Sequence, residues 1–183
     1  MASKSINIDT RKGPSFGLGN RLARILWMAA WFCLCRWTPP PLHRWRALVL
    51  RMFGARVGSG VHVYASAQIW APWHLEIGDG SAIGRKATVY SQGRITLGRR
   101  VVISQGVHLC AGTHDFEAPG FPLVTKPIEV QDDAWIAAEA FVHPGVTVGE
   151  GCVVGARSVV VGDLPEWSVC SGFPARALRP RRP

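Results

Sequence analysis

The sequence predicts a mainly β fold: a left-handed parallel β-helix of about five coils, preceded by a helical segment and followed by an irregular C-terminal tail. Two observations carry that expectation. A six-residue aliphatic period persists across about a hundred residues, and glycines recur at one phase of it. A third observation, the confinement of the net charge to the first third of the chain, sets that third apart from the rest.

The aliphatic register runs Val57, Val63, Ile69, then Ile77, Ile83, Val89, then Leu97, Ile103, Leu109, then Val130, Ile136, Val142, and finally Val148, Val154, Val160. Four residues after each of these, the position is usually small or β-branched, as at Val61, Ala67, Ala87, Thr113, Ala134 and Ser158. Two inward positions per six residues suit a three-sided prism, in which each face supplies short parallel strands that pair with the coils above and below. Grouping the repeats in threes puts the departures from strict spacing between coils. Two extra residues separate Ile69 from Ile77 and Val89 from Leu97, and a long insertion follows Leu109. Four coils then open on an aliphatic-Gly pair (Val57-Gly58, Ile77-Gly78, Leu97-Gly98, Val148-Gly149), which lines one corner with the residue that tolerates close backbone approach. A β-sandwich would show period-two alternation with turn signals every 8–12 residues or so instead.

The prism is expected over residues 57–164, with a loop at 115–127 and an irregular tail at 165–183. Residues 1–56 hold ten Lys or Arg against the single acid Asp9, whereas the remainder balances eleven bases with eleven acids, so the net charge of +9 lies in front of the prism. This part also holds Trp27, Trp31, Trp37 and Trp45. Helices are expected between Asn20 and Phe53, broken at Thr38-Pro39-Pro40-Pro41 because a run of prolines cannot continue a helix. Such helices would cap the open edge of the first coil. Their tryptophans and arginines also suit contact with an anionic membrane surface. The apolar run from Ile25 to Cys35 is shorter than the roughly 20 residues a bilayer span needs, and no cleavage site follows it, so a cytoplasmic location, with the membrane's inner face as a peripheral contact, is expected. Five scattered cysteines do not make a disulfide framework, and Cys33 and Cys35 lack a second pair of zinc ligands.

The register, the Ala-Gly-Thr-His-Asp run at 111–115, the proline-containing insertion and the closing Gly172-Phe173-Pro174-Ala175 together resemble the hexapeptide-repeat acyltransferases, and among them the colanic acid or exopolysaccharide biosynthesis acetyltransferases. The resemblance covers nearly the whole chain and is most specific at residues 109–127 and 133–158. It implies a homotrimer with active sites between subunits, acetyl-CoA as donor, and a hydroxyl of a sugar or lipid-linked glycan as acceptor. His114, placed just after an inward Thr113 where the chain leaves the prism, is the general base it implies. The donor contacts it implies are Trp135, Ala138, Ala156, Val161, Gly162, Arg176 and Arg179. Ala138 and Ala156 are eighteen residues apart and stack on successive coils, where small side chains let a pantetheine arm approach the backbone. The arginines suit the polyanionic nucleotide end of CoA. Val161-Gly162 replaces the Thr-Lys of many relatives, and Phe173 stands where Asn is common. Ser91 and Asp115 are candidate acceptor contacts.

Two other readings compete. One is a β-helical zinc enzyme of the carbonic-anhydrase kind, for which six histidines are available; however, His108 and His114 fall at neighbouring corners and His143 in a different slot, so no metal site is expected. The other is a binding scaffold without catalysis. No nucleic-acid motif accompanies the basic segment.

Overall fold

The computed structural model describes residues 16–182. Three parallel sheets form the sides of a prism. The first stacks Arg56–Val57, Leu75–Ile77, Ile95–Leu97, Ile128–Val130 and Thr147–Val148. The second stacks His62–Val63, Ala82–Ile83, Val102–Ile103, Trp135–Ile136, Val153–Val154 and Ser168–Gly172. The third stacks Gln68–Ile69, Thr88–Tyr90, His108–Cys110, Phe141–Val142 and Val159–Val160. The pairing reproduces the aliphatic register residue for residue, with Val57 beside Ile77, Val63 beside Ile83 and Ile69 beside Val89, and so on up the stack. All the register residues are buried except Val57, which is half-buried against the same core. Each such side chain contributes roughly 1.5–3 kcal/mol by leaving water.

The corner glycines are present because coils touch there. A Cβ on Gly78 would press on the backbone of Gly98 and Arg99, atoms that belong to the next coil and cannot turn aside. The extra residues predicted between the first two coils form a short 3-10 turn, Pro72–His74, which leaves the coil register unbroken on either side.

Two helices precede the prism, α1 (Leu18–Leu34) and α2 (His43–Met52), on either side of the proline break. Their capping role is visible atom by atom. Along the prism each coil's N–H groups donate to carbonyls of the next coil, as Gly58 does to Ile77, Tyr64 to Ile83 and Trp70 to Val89. The equivalent carbonyls of the first coil, Val57, Val63 and Ile69, therefore have no preceding coil to serve them. Side chains take that place, one on each face: Arg51 Nε donates to Val57 O at 2.9 Å, Arg46 Nε to Val63 O at 2.6 Å and Trp27 Nε1 to Ile69 O at 2.6 Å. Arg46 is fully buried, and its Nη groups also donate to Thr38 Oγ1, Pro39 O and Pro40 O, which fastens the proline break to the prism.

Three expectations need correction. The C-terminal tail is not irregular: Ser168–Gly172 adds a sixth strand to the second face, and Ala175–Pro180 folds back antiparallel on it. Arg181 pins this hairpin by donating to Asp133 O and Gly151 O. Thr113 is exposed rather than inward, because the chain has already left the prism after the buried Ala111. Finally, Trp27 and Trp31 are buried in the cap, so of the four N-terminal tryptophans only Trp37 and Trp45 remain available to a surface.

Candidate active site

The site is built where the third coil is interrupted. After His108–Cys110 the chain turns outward into two short antiparallel strands, Gly112–His114 and Leu123–Thr125, with His114 opposite Leu123. The expected loop at 115–127 is thus partly a hairpin. Asp115 closes its turn: the side chain accepts from the N–H groups of Glu117 and Ala118 at 3.1 Å, while its own N–H donates to Pro122 O. Gly112 is required at the base of the hairpin, since a Cβ there would overlap the side chain of Gln92.

His114 is held on two sides. Its Nδ1 lies 3.0 Å from Phe121 O, and its ring stacks on Phe121 with centroids 4.5 Å apart and planes 11° from parallel. A carbonyl oxygen only accepts, so Nδ1 carries the proton and Nε2 keeps its lone pair. The imidazole borders a cavity of about 350 Å³ whose wall includes Arg21, Arg24, Trp70, Tyr90 and Gln92. Gln92 Nε2 donates to the Tyr90 hydroxyl at 2.8 Å, and burial, reinforced by Cys110, raises the Tyr90 phenol above its ordinary range. The Arg24 guanidinium carbon lies over Trp70, 4.4 Å from the ring centroid.

Of the two acceptor candidates, neither lines this cavity. Ser91 is fully buried, and its hydroxyl accepts from Ala71 N–H and donates to Ala71 O, which joins adjacent coils and leaves nothing for a ligand. Its neighbours Tyr90 and Gln92 face the cavity instead. Asp115 is exposed beside His114 but spends its carboxylate on the hairpin turn.

The seven donor candidates divide between two places. Trp135 stands half-exposed on the second face with Nε1 donating to Ser104 Oγ at 2.9 Å. Strand pairing carries its row through Val153 and Val169 to Arg179. Ala138 and Ala156 follow at the corner between the second and third faces, where the Arg157 N–H donates to Ala138 O. Arg176 is exposed on the same terminal strand as Arg179, and both side chains bond only nearby carbonyls. Val161 and Gly162 lie past the end of the third face, with open space around Gly162. His114 also leaves from the end of the third face. Within one protomer, then, the third face separates His114 from the alanine corner and the arginine-bearing strand.

The remaining histidines do not converge. His43 stacks on His62 with centroids 4.6 Å apart, and His108 packs between Tyr90 and Phe141 with its pKa lowered by burial. Among the described residues no three His, Cys, Asp or Glu side chains are grouped to hold a metal ion. The zinc reading therefore has no donor set in the described part of a protomer. None of the described helices is long and apolar enough to cross a membrane.

Comparison with known proteins agrees with the architecture. Residues 127–162 match the bacterial transferase hexapeptide (six repeats). A protein of Escherichia coli (strain K12) named as the colanic acid biosynthesis acetyltransferase WcaF is 43% identical over 163 residues, covering 89% of this chain and 90% of that one. The galactoside O-acetyltransferase of the same organism is 28% identical, over 77% of this chain and 70% of that one. Among solved structures, a hexapeptide-repeat acetyltransferase of Vibrio cholerae complexed with acetyl coenzyme A superposes with a TM-score of 0.83 at 23% identity, covering 93% of each chain. This likeness extends to the left-handed turn of the β-helix.

Proposed function

The chain belongs to the hexapeptide-repeat acetyltransferases, and from that membership we propose that it moves an acetyl group from acetyl-CoA to a hydroxyl of a sugar or exopolysaccharide precursor, with His114 as general base. The observation that carries the role of His114 is its fixed tautomer: Nδ1–H is committed to Phe121 O, so the ring presents a basic Nε2 at the edge of a cavity large enough for a sugar ring. Nε2 takes the proton of the acceptor hydroxyl as that oxygen attacks the thioester carbonyl. The tetrahedral intermediate then expels the CoA sulfur, and the imidazolium returns the proton to the thiolate.

For the donor, the fit favours the seven residues implied by the resemblance. Ala138 and Ala156 leave the corner shallow enough for a pantetheine arm, Gly162 has open space around it, and Arg176 and Arg179 face solvent with no carboxylate partner among the described residues. The active unit is a homotrimer in this reading. Its support is the division just described: a site using both His114 and the alanine corner is completed by bringing together the corners of two prisms.

The measurement that tests the base is acetyl transfer by His114→Ala. Turnover should fall by about 10²–10⁴-fold, while CoA affinity and the mass of the assembly by light scattering stay as in the wild type. A variant that keeps most of its turnover would show that another group takes the proton.

One surface supports peripheral membrane contact. On α1 the face turned away from the prism exposes Leu22, Ile25, Leu26 and Phe32, and exposed Trp37 follows the helix. No acid stands between residues 16 and 55, so this face is accompanied only by positive charge, as binding to anionic lipid requires. Co-sedimentation with anionic vesicles should exceed that with zwitterionic ones, and Leu22→Asp with Leu26→Asp should abolish it. Equal pelleting of the double variant would remove this contact from the reading.

A further inference from the structure

Arg21 and Arg24 are three residues apart on one side of α1, and both line the cavity that His114 borders. Arg24 is positioned before any ligand arrives. Its Nε donates to Asn20 Oδ1 at 3.0 Å, and its guanidinium lies 4.4 Å from the centroid of Trp70 and 5.6 Å from that of Phe16. The Nε–H of the fork is thereby used, leaving the Nη groups without a partner among the described residues. The Arg21 side chain has none there either. This contrasts with the prism, where Arg94, Arg99, Arg100 and Arg157 each meet a carboxylate within 2.8 Å. The wall of the cavity contains no Asp or Glu, and residues 16–55 contain none at all. Two cations kept without an intramolecular counter-charge at the mouth of a concave site attract anions, and a planar guanidinium matches the paired oxygens of a phosphate or carboxylate.

We propose that the acceptor of this enzyme is an anionic sugar, carrying a phosphate or carboxylate near the hydroxyl to be acetylated, and that Arg21 and Arg24 select it. The proposal rests on the reading of the His114 cavity as the acceptor site. Trp70 and Tyr90 bound the sugar ring, while the arginines bind its charge, and the acceptor is thereby oriented toward Nε2.

Titration calorimetry on the full-length protein with three probes tests it: methyl galactoside as the neutral reference, galactose 1-phosphate, and galacturonic acid. At least one charged probe should bind about tenfold or more tightly than the neutral one, as a charge-assisted contact implies, and the stronger of the two identifies phosphate or carboxylate as the group selected. In Arg24→Gln and Arg21→Gln the ratio of charged to neutral affinity should fall toward unity, and in the wild type added salt should reduce the same ratio. Equal binding of all three probes overturns the proposal, as does a preference that survives both substitutions. A change in assembly mass on substitution also overturns it, since the arginines would then be pairing with a second copy of the chain. Because the readout is binding, it separates from the function itself: a charge preference without acetyl transfer to any probe contradicts the proposed reaction but not the selection, and transfer without preference does the reverse.

Discussion

On the coils of the prism, Arg94, Arg99, Arg100 and Arg157 are matched by carboxylates from a neighbouring coil, with Arg99 beside Asp132 and Arg100 beside Asp133. Between residues 16 and 55, before it, there is no carboxylate, and the arginines find other partners: Arg46 and Arg51 bond carbonyls of the first coil, and Arg24 lies on an aromatic ring. The difference teaches what each part depends on. The prism satisfies its charges and its backbone by repetition, because every coil has a neighbour. The segment is a terminator, and it uses side chains that only donate, two arginines and the Trp27 indole, because the groups it must satisfy are orphaned carbonyls. The same absence of acid leaves Arg21 and Arg24 to meet charge from outside.

The strongest way to break the connection between the two parts is at Arg46. Replacing it with Met keeps the apolar stem but removes the guanidinium from Val63 O, Pro39 O and Pro40 O, leaving His43 Nδ1 beside the first, the Leu42 N–H on the second and no donor on the third, at a cost of roughly 3 kcal/mol in urea unfolding. Lys should not restore the loss, because one ammonium cannot reproduce a fork that spans the prism and the proline turn. Full stability in Arg46→Met would mean that water serves those carbonyls equally well.

Next in size is a comparison within the prism. Gly78→Ala drives a methyl group into the backbone of Gly98 and Arg99 and should cost about 1–3 kcal/mol, whereas Gly162→Ala, with open space around it, should change stability by less than about 0.5 kcal/mol. Equal effects would show that conformational freedom, rather than contact between coils, explains the corner glycines.

Much of this was legible from the chain, for physical reasons. A repeating fold writes its core as a period, so all fifteen register positions could be read directly, and the triple proline marked the break between α1 and α2. What repetition does not encode was missed. The tail strand Ser168–Gly172 reaches the second face through Cys170, ten residues after Val160 where two full repeats would need twelve, because Leu164 comes to the first face only four residues after Val160; the period was lost although the face continued. Arg46 on an amphipathic helix reads as a solvent-facing charge, and only the location of the orphaned carbonyls shows otherwise. At the candidate site, the exit of the third coil pointed to His114. The walls supplied by Trp70, Tyr90 and Gln92 come from earlier coils, and the choice of Ser91 was one residue out because alternation along the strand turns its side chain inward. The two-residue lengthening at the end of the second coil was the available signal, since Gln92 and Gly93 there lie against Gly112 and Thr125 of the hairpin.

A smaller effect separates the two parts by pH. Burial lowers the pKa of His108 on the prism and of His43 in the cap from the ordinary 6.5. The unfolded chain then binds more protons than the folded one in the interval below 6.5, so stability is complete above that value and is lost as pH falls through the folded-state pKa values. His108→Phe, which preserves stacking against Tyr90 and Phe141, should flatten part of this dependence in unfolding curves taken between pH 7 and pH 5, leaving the share from His43. An unchanged slope would assign the dependence to the cap alone.

The smallest expected effect is at the surface pairs that first distinguished the prism. Arg100 and Asp133 meet at 2.6 Å and the pair lowers the Asp133 carboxyl below its usual range, yet the Arg100 side chain is more than half exposed. Water and salt compete there, so Arg100→Gln should lower stability far less than Arg46→Met does, and most of the loss should vanish at high ionic strength. A loss as large as that of Arg46→Met would mean that charge matching between coils, rather than the aliphatic register, holds the prism together. A small loss identifies the paired charges as a device that keeps the coils near neutrality, leaving the unpaired ones, Arg21 and Arg24 in the helical segment and Arg176 and Arg179 on the terminal strand, to account for what the molecule attracts.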